Sequence, residues 1–427
     1  MAFIPTTTQT HIDPSQGGNY KVPLAVVTML FFMWGFLTCL NDILVPHLKA
    51  VFDLNYTQVM LVQFTFFTAY FLMSIPSGKI INIFGYHKGI VIGLLTAGAG
   101  TFLFYPAASF TSYPLFLAAL FVLASGITLL QVAANPYVAV LGRSDTASSR
   151  LNLTQAFNSL GTTIAPYFGG LFILTTTMLS LEDMRALPPE KLQAYKLLEA
   201  SSVQIPYVAL GISLVILAFA MAKFKLPVIA SVEDHHAKAG KLTDALKHRH
   251  LVLGAVGIFV YVGAEVSIGS FLVNFLGQPD IAGLKEAAAA GFVSYYWGGA
   301  MIGRFVGSAL LQKVNAGKLL GIFALVSCAL VFTTVFTTGH VAMWTILSVG
   351  LFNSIMFPTI FTLGIDGLGK LTSQGSSVLI MAIVGGAIIP LAQGAMADAI
   401  GIHTAFILPA ICYLYIVFYG FIGSRHA

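Results

Sequence analysis

The chain has 427 residues, 57% hydrophobic and only 9% charged, with a net charge of +5 and a mean hydropathy of +0.87. Soluble domains run near ~45–50% apolar and ~25% charged, so a water-soluble globular protein is excluded before any motif is read. The positive balance does not indicate a nucleic-acid partner, because the basic residues sit between apolar runs with no interleaved aromatic cluster. Cys39, Cys328 and Cys412 lie singly in apolar runs, which suggests neither a disulfide framework nor a metal site, and no cofactor is expected.

A polar tail, 1–22, carries no basic residue before Lys21, and the apolar run after it is too long for a cleavable signal, so it reads as an uncleaved first span. A transmembrane helix needs about 20 predominantly apolar residues. Breaks at polar or Gly/Pro clusters place spans near 23–50, 57–83, 88–107, 112–141, 149–177, 204–226, 249–277, 287–312, 317–337, 341–365, 375–398 and 402–422. Between spans 5 and 6, an acidic loop around Leu181 to Ser202 contains Pro188-Pro189-Glu190, the start of a short helix. The stretch 227–248 carries both charge signs. His235, His236, His248 and the adjoining His250 are possible metal ligands, but the composition is that of a solvated linker. The expected fold is an all-α membrane protein of twelve transmembrane helices. It divides into a tail (1–22), a first six-helix bundle (23–226), a linker (227–248) and a second bundle with a short tail (249–427). An even count puts both termini on one side. With the N-terminus inside, only Lys49, Arg185, Lys191, Lys196 and Lys285 of the 21 Lys and Arg lie outside, the asymmetry of the positive-inside rule. Both termini are therefore expected in the cytoplasm.

Shifting the second half back by 222 to 225 residues superposes Asp42 on Glu265, Gly78-Lys79 on Gly303-Arg304, Pro136 on Pro358, Gly142 on Gly364 and Pro166 on Pro390. Five landmarks in order at one offset indicate parallel repeats of six spans. That is the signature of the major facilitator architecture, in which two halves rock around a site near the midplane.

A carboxylate at mid-bilayer costs roughly 2.5–3.5 kcal/mol on insertion scales, so an acid there is a functional hypothesis by default. Of sixteen acidic residues, only the repeat mates Asp42 and Glu265 lie well inside spans. Asp42 is about 10 Å from the outer end of its helix and Glu265 about 24 Å from the inner end of its own, so both can face one cavity. Such a group can exchange a proton or, ionised, ligate Na⁺; the alternative is a structural carboxylate bonded to a neighbouring helix. Thr38 shares the face of Asp42 and Asn41 adjoins it. Gln131 and Asn135 are one turn apart on span 4, and Asn152, Gln155 and Asn158 step by three along span 5, so each set shares a face. An amide both donates and accepts, as sugar hydroxyls require, although it can equally be interhelical glue. Trp34, Tyr261 (one turn before Glu265), Tyr295, Tyr296 and Trp297 are candidates for the apolar face of a sugar. The run Gly364 to Leu371 nearly spells a phosphate-binding loop, but Leu371 replaces the Ser/Thr that holds Mg²⁺ and no strand precedes it. Gly299, Gly303 and Gly307 form a small-xxx-small stripe suited to close helix packing.

The strings LeuAsnAspIleLeuValPro (40–46), GlnValAlaAlaAsnProTyr (131–137), LeuAsnLeuThrGlnAlaPheAsnSerLeuGly (151–161), ValGlyAlaGluValSerIleGlySerPhe (262–271) and AsnSerIleMetPheProThrIlePhe (353–361) resemble the fucose:proton symporter family of the major facilitator superfamily over almost the whole chain. In the fucose transporters, the Asp of AsnAsp couples protons and a Glu opens the AlaAlaAsnPro motif. Here Asp42 matches the former, Gln131 stands in place of the latter, and an acid appears instead at Glu265. That pattern is more similar to the family's bacterial glucose/galactose transporters. The resemblance implies a monomeric symporter of a sugar with H⁺ or Na⁺ in a bacterial inner membrane, and no enzymatic activity. Carried over, Asp42 is the expected ion-coupling residue and Gln131, Asn135, Gln155 and Asn158 are expected to line the sugar site; Glu265 joins Asp42 on the strength of the repeat and its motif, and Asn41 and Tyr261, beside the two acids, are added as sugar contacts. N-acetylglucosamine or fucose symport, and facilitated uniport, are the neighbouring alternatives.

Overall fold

Every apolar run expected to cross a bilayer is helical where the computed structural model describes it, because a segment in hydrocarbon must satisfy each N–H and C=O internally. The structure describes residues 20–52, 56–172, 187–188, 190–191, 204–224, 226–227 and 241–425, with the backbone alone at 40–52, 56–60, 166–172 and 286–287. The first half comprises α1 (Lys21–Phe52), α2 (Tyr56–Ser109), α3 (Tyr113–Val140), α4 (Ala147–Phe172) and α5 (Gln204–Lys223). The second comprises α6 (Arg249–Leu276), α7 (Glu286–Leu310), α8 (Ala316–Phe336), α9 (Gly339–Asn353), α10 (Met356–Ile365), α11 (Thr372–Met381), α12 (Gly385–Ile400) and α13 (Ile407–Phe418). Helix α2 contains two crossings, turned at Gly85 (φ 80°, ψ 169°), a conformation that only glycine adopts readily. The pairs α9/α10 and α11/α12 are each one bent crossing, so each half has six.

Nine described stretches are long and apolar enough to cross a membrane, and one of them, Leu61–Ser109, accounts for two crossings. The two crossings that fall short are α4 and α7. They are too polar to qualify because they turn their polar faces toward each other across the junction of the halves. Their neighbours expose Ile216, Phe219, Phe336, Leu391 and Ile422 outward, a surface that only lipid covers favourably. In the acidic loop, Glu190 and Lys191 are helical, while most of that loop and residues 228–240 lie outside the described residues, as do His235 and His236. His250 is buried in α6 and its Nε2 lies 3.0 Å from the carbonyl oxygen of Asp366.

The halves meet along a seam of neutral hydrogen bonds that begins at the face bearing the chain termini. Ser148 and Thr362 hydroxyls are 2.6 Å apart, Ser149 Oγ donates to the carbonyl oxygen of Ser308 at 2.7 Å, and Ser373 pairs with Asn82. Like the Ser149 bond, Asn152 Nδ2 to Arg304 O (2.7 Å) and Ser376 Oγ to Val132 O (3.0 Å) run from a side chain in one half to a backbone carbonyl in the other. The bond to Val132 has a covalent origin. Pro136 has no N–H, so it leaves the carbonyl four residues earlier, Val132, without its helical donor. Ser376 supplies the replacement from the opposite half.

The glycine stripe on α7 packs as its spacing suggests. Gly303 lies against the carbonyl of Leu351 and the side chain of Ser354, and Gly307 against Ile355. The obstacle at Gly303 is backbone, which cannot rotate aside. Gly303→Val is therefore expected to destabilise the folded carrier by about 3 kcal/mol or more, the upper range for overpacking. Monodisperse elution and a melting temperature within a few degrees of the parent would show this contact to be softer than its geometry indicates.

Candidate functional site

Glu265 sits at the middle of α6, where its side chain is 14% exposed. Tyr261, one turn earlier, is fully buried, and its hydroxyl lies 2.7 Å from Glu265 Oε1 and 3.2 Å from the carbonyl oxygen of Asn353. The same oxygen is approached to 3.9 Å by Nη2 of Arg304, whose side chain is also 14% exposed. The charge count puts Arg304 on the cytoplasmic side without giving it a role; six residues before the end of α7, it lies within the helix and its guanidinium turns inward toward the carboxylate.

Arg304 is held by three partners on three elements. Its Nη1 donates to Ser159 Oγ on α4, in the first half. Its Nε points at the carbonyl oxygen of Ser354, 3.3 Å away in the break between α9 and α10. That carbonyl is free because Pro358, four residues on, has no N–H; the ladder resumes with Thr359 N to Ile355 O at 3.0 Å. The two repeat-related prolines thus do equivalent work. Pro136 frees Val132 O for Ser376, and Pro358 frees Ser354 O for Arg304. Beside the break, Asn353 Nδ2 donates to Tyr296 Oη at 2.7 Å, so the AsnSerIleMetPhePro string builds the wall behind Glu265.

In the first half, Gln131 Nε2 donates to Tyr70 Oη at 2.7 Å, and Gln155 Nε2 reaches Asn135 Oδ1 at 3.5 Å. Asn135 is fully buried with its Nδ2 unpartnered among the described residues, and Gln131 and Gln155 are 9% and 7% exposed. Ser159 lies one turn from Gln155 and donates to its carbonyl, so the amide cluster and the Arg304–Glu265 pair are connected through one turn of α4. The amides expected on one stripe of α4 separate into different roles. Asn152 grips the seam, Gln155 joins the cluster, and Asn158 Nδ2 donates to Phe31 O at 2.9 Å, clamping α1 to α4 near Gly35.

Asn41 and Asp42 lie on α1, and their side chains are outside the described residues. Among the aromatic candidates, Trp34 and Tyr296 are buried in the core. Tyr295 clusters with Phe292 and Trp344 and is 59% exposed on the outer surface. Trp297 shares the α7 stripe of Met301 and Arg304, which faces α4, and packs over Gly269. Sequence reasoning missed Tyr70, Ser159 and Arg304. For Arg304 a signal existed, since it lay inside an expected span, where a cation is itself a functional hypothesis.

Two six-helix halves joined along a polar seam, with an ion pair and an amide cluster at membrane depth, define a membrane-embedded solute carrier. Residues 25–382 match the Major Facilitator Superfamily, and the chain belongs to that family. It is 57% identical to a glucose/galactose transporter of Brucella abortus biovar 1 (strain 9-941), over 99% of each chain. It is 37% identical to the L-fucose-proton symporter of Escherichia coli (strain K12), over 97% of this chain and 96% of the other. The crystal structure of a major facilitator transporter, FucP, in the outward conformation superposes with a TM-score of 0.89, at 36% identity, covering 95% of this chain and 99% of that one.

Proposed function

We propose that this chain imports glucose and galactose across the bacterial inner membrane as a monomeric symporter driven by H⁺ or Na⁺, with both termini in the cytoplasm. Asp42 and Glu265 couple the cation, and Asn41, Gln131, Asn135, Gln155 and Tyr261 surround the sugar, directly or by holding those that touch it; Asn158, expected in the same set, serves instead to hold α1 against α4 through the Phe31 carbonyl. The observation that carries the reading is the Glu265–Arg304 pair standing at membrane depth, one α4 turn from the amide cluster. A charge pair is costly there and the helices could have packed without it. Full-length likeness to a glucose/galactose transporter supports the cargo, and likeness to a fucose-proton symporter supports cation drive. With the seam closed at the face of the termini, cation and sugar enter from the opposite side, the halves rock, and both leave where the seam opens.

The test is uptake of labelled glucose, galactose, fucose and N-acetylglucosamine into proteoliposomes under an imposed pH or Na⁺ gradient. Glucose and galactose are expected to accumulate under one of the gradients. Equilibration without accumulation under either gradient overturns symport, and accumulation of fucose alone overturns the cargo.

A further inference from the structure

We infer that Arg304 is the transmitter by which the carboxylate of Glu265 controls the seam, so that a cation bound without sugar locks the carrier and cannot leak through it. The inference rests on the reading of Glu265 as a cation-coupling group. Arg304 has one guanidinium and two opposed claims on it. Glu265, in its own half, attracts it from 3.9 Å, a separation that gives Coulomb attraction without a hydrogen bond. Ser159, in the other half, accepts a hydrogen bond from Nη1. The arginine backbone is itself part of the seam, since Arg304 O accepts from Asn152. The remaining seam bonds, Ser148 to Thr362, Ser149 to Ser308, Ser373 to Asn82 and Ser376 to Val132 O, join uncharged groups and have no charged side chain to couple them to the carboxylate. Of the contacts described between the halves, the one at Ser159 alone belongs to a side chain that also faces the carboxylate.

The consequence has a definite sign. A bare Glu265 draws the guanidinium toward its own half and loosens the seam. A proton or Na⁺ on Glu265 removes that attraction, and Na⁺ adds repulsion, so the fork commits to Ser159 and to the Ser354 carbonyl and the seam tightens. An empty carrier is then free to cycle, whereas one holding only the cation is locked until sugar rearranges the amide cluster one turn away at Gln155. The first lets the carrier return for another turn, and the second keeps it from dissipating its gradient.

The experiment uses Ser148→Cys, at a buried seam position 6% exposed, in a full-length chain with Cys39, Cys328 and Cys412 replaced by alanine. The protein is held in sugar-free lipid nanodiscs. The alkylation rate of that cysteine by N-ethylmaleimide reports how often the seam opens. Arg304→Gln is expected to speed alkylation by about tenfold or more, and Glu265→Gln to slow it by about threefold or more; the double variant matches Arg304→Gln, because interacting sites are non-additive. Arg304→Lys, which keeps the charge without the fork, gives a smaller rise and serves if the glutamine variant does not fold. In sugar-free vesicles, Arg304→Gln also dissipates an imposed gradient of the coupling cation that the parent holds. The inference is overturned if Glu265→Gln changes the rate by the same factor with and without Arg304, or if Arg304 substitution leaves the rate unchanged. Because the rates are read without sugar, expected rates combined with failed hexose uptake refute the cargo and not the transmitter. Normal uptake with additive rates refutes the transmitter alone.

Discussion

Glu265→Gln is expected to end accumulation of hexose against a gradient while leaving downhill exchange in place. One cation falling through 100 mV supplies about 2.3 kcal/mol, enough to concentrate sugar about 50-fold; without coupling the ratio falls to about one. Glutamine is nearly isosteric, and its amide oxygen still accepts from Tyr261 Oη at the position where Glu265 Oε1 now sits, 2.7 Å away. Arg304 keeps Ser159 and the Ser354 carbonyl, so the fold survives and the defect lies in energy conversion. Glu265→Leu provides the contrast. It strips the buried guanidinium of its counter-charge and the Tyr261 hydroxyl of its acceptor, and is expected to cost about 3–5 kcal/mol of stability. Time courses of labelled glucose in proteoliposomes, with counterflow run alongside, separate the two outcomes. Parental accumulation by the glutamine variant would remove Glu265 from the coupling path and leave Asp42→Asn as the decisive substitution.

The fold was legible in the sequence because hydrocarbon imposes one rule on every segment, and that rule writes itself as apolar runs of nearly constant length. The repeat added what hydropathy lacks. Asp42 paired with Glu265, and Pro136 with Pro358, before any contact was known. The prolines carried more than was drawn from them: subtracting four from each gives Val132 and Ser354, the two carbonyls that Ser376 and Arg304 satisfy. Arg304 itself was obscured by its closeness to a helix end, where a cation is usually a topology signal. Tyr70 and Ser159 gave no signal, since single aromatics and hydroxyls are ordinary in such spans. The amides of α4 show a different limit. Spacing put Asn152, Gln155 and Asn158 on one face, but six residues cover about 9 Å of axis, enough to pass from the seam to the cavity wall and on to α1.

Gln131→Leu is expected to raise the KM for hexose roughly 100-fold with little loss of folded protein. Gln131 has two N–H donors and a carbonyl acceptor; Tyr70 Oη engages one donor at 2.7 Å, which fixes the amide and leaves the other donor and the acceptor for sugar hydroxyls. Leucine removes both. The lost hydrogen bonds, together with the desolvated hydroxyls left unpaired, amount to about 2–4 kcal/mol, and the middle of that range is roughly 100-fold. Tyr70→Phe removes only the orienting contact, worth about 1 kcal/mol, so it should raise KM about fivefold, and adding it to Gln131→Leu should change little further. Asn158→Ala tests the specificity of the argument. Its amide is bound to the Phe31 carbonyl, so its loss should appear as a melting temperature lowered by several degrees at a nearly unchanged KM. The concentration dependence of glucose exchange, which needs no gradient, reads all three. A KM for Gln131→Leu within threefold of the parent would place the sugar elsewhere, and a large KM effect at Asn158 with no change in melting would move the site outward along α4 toward α1.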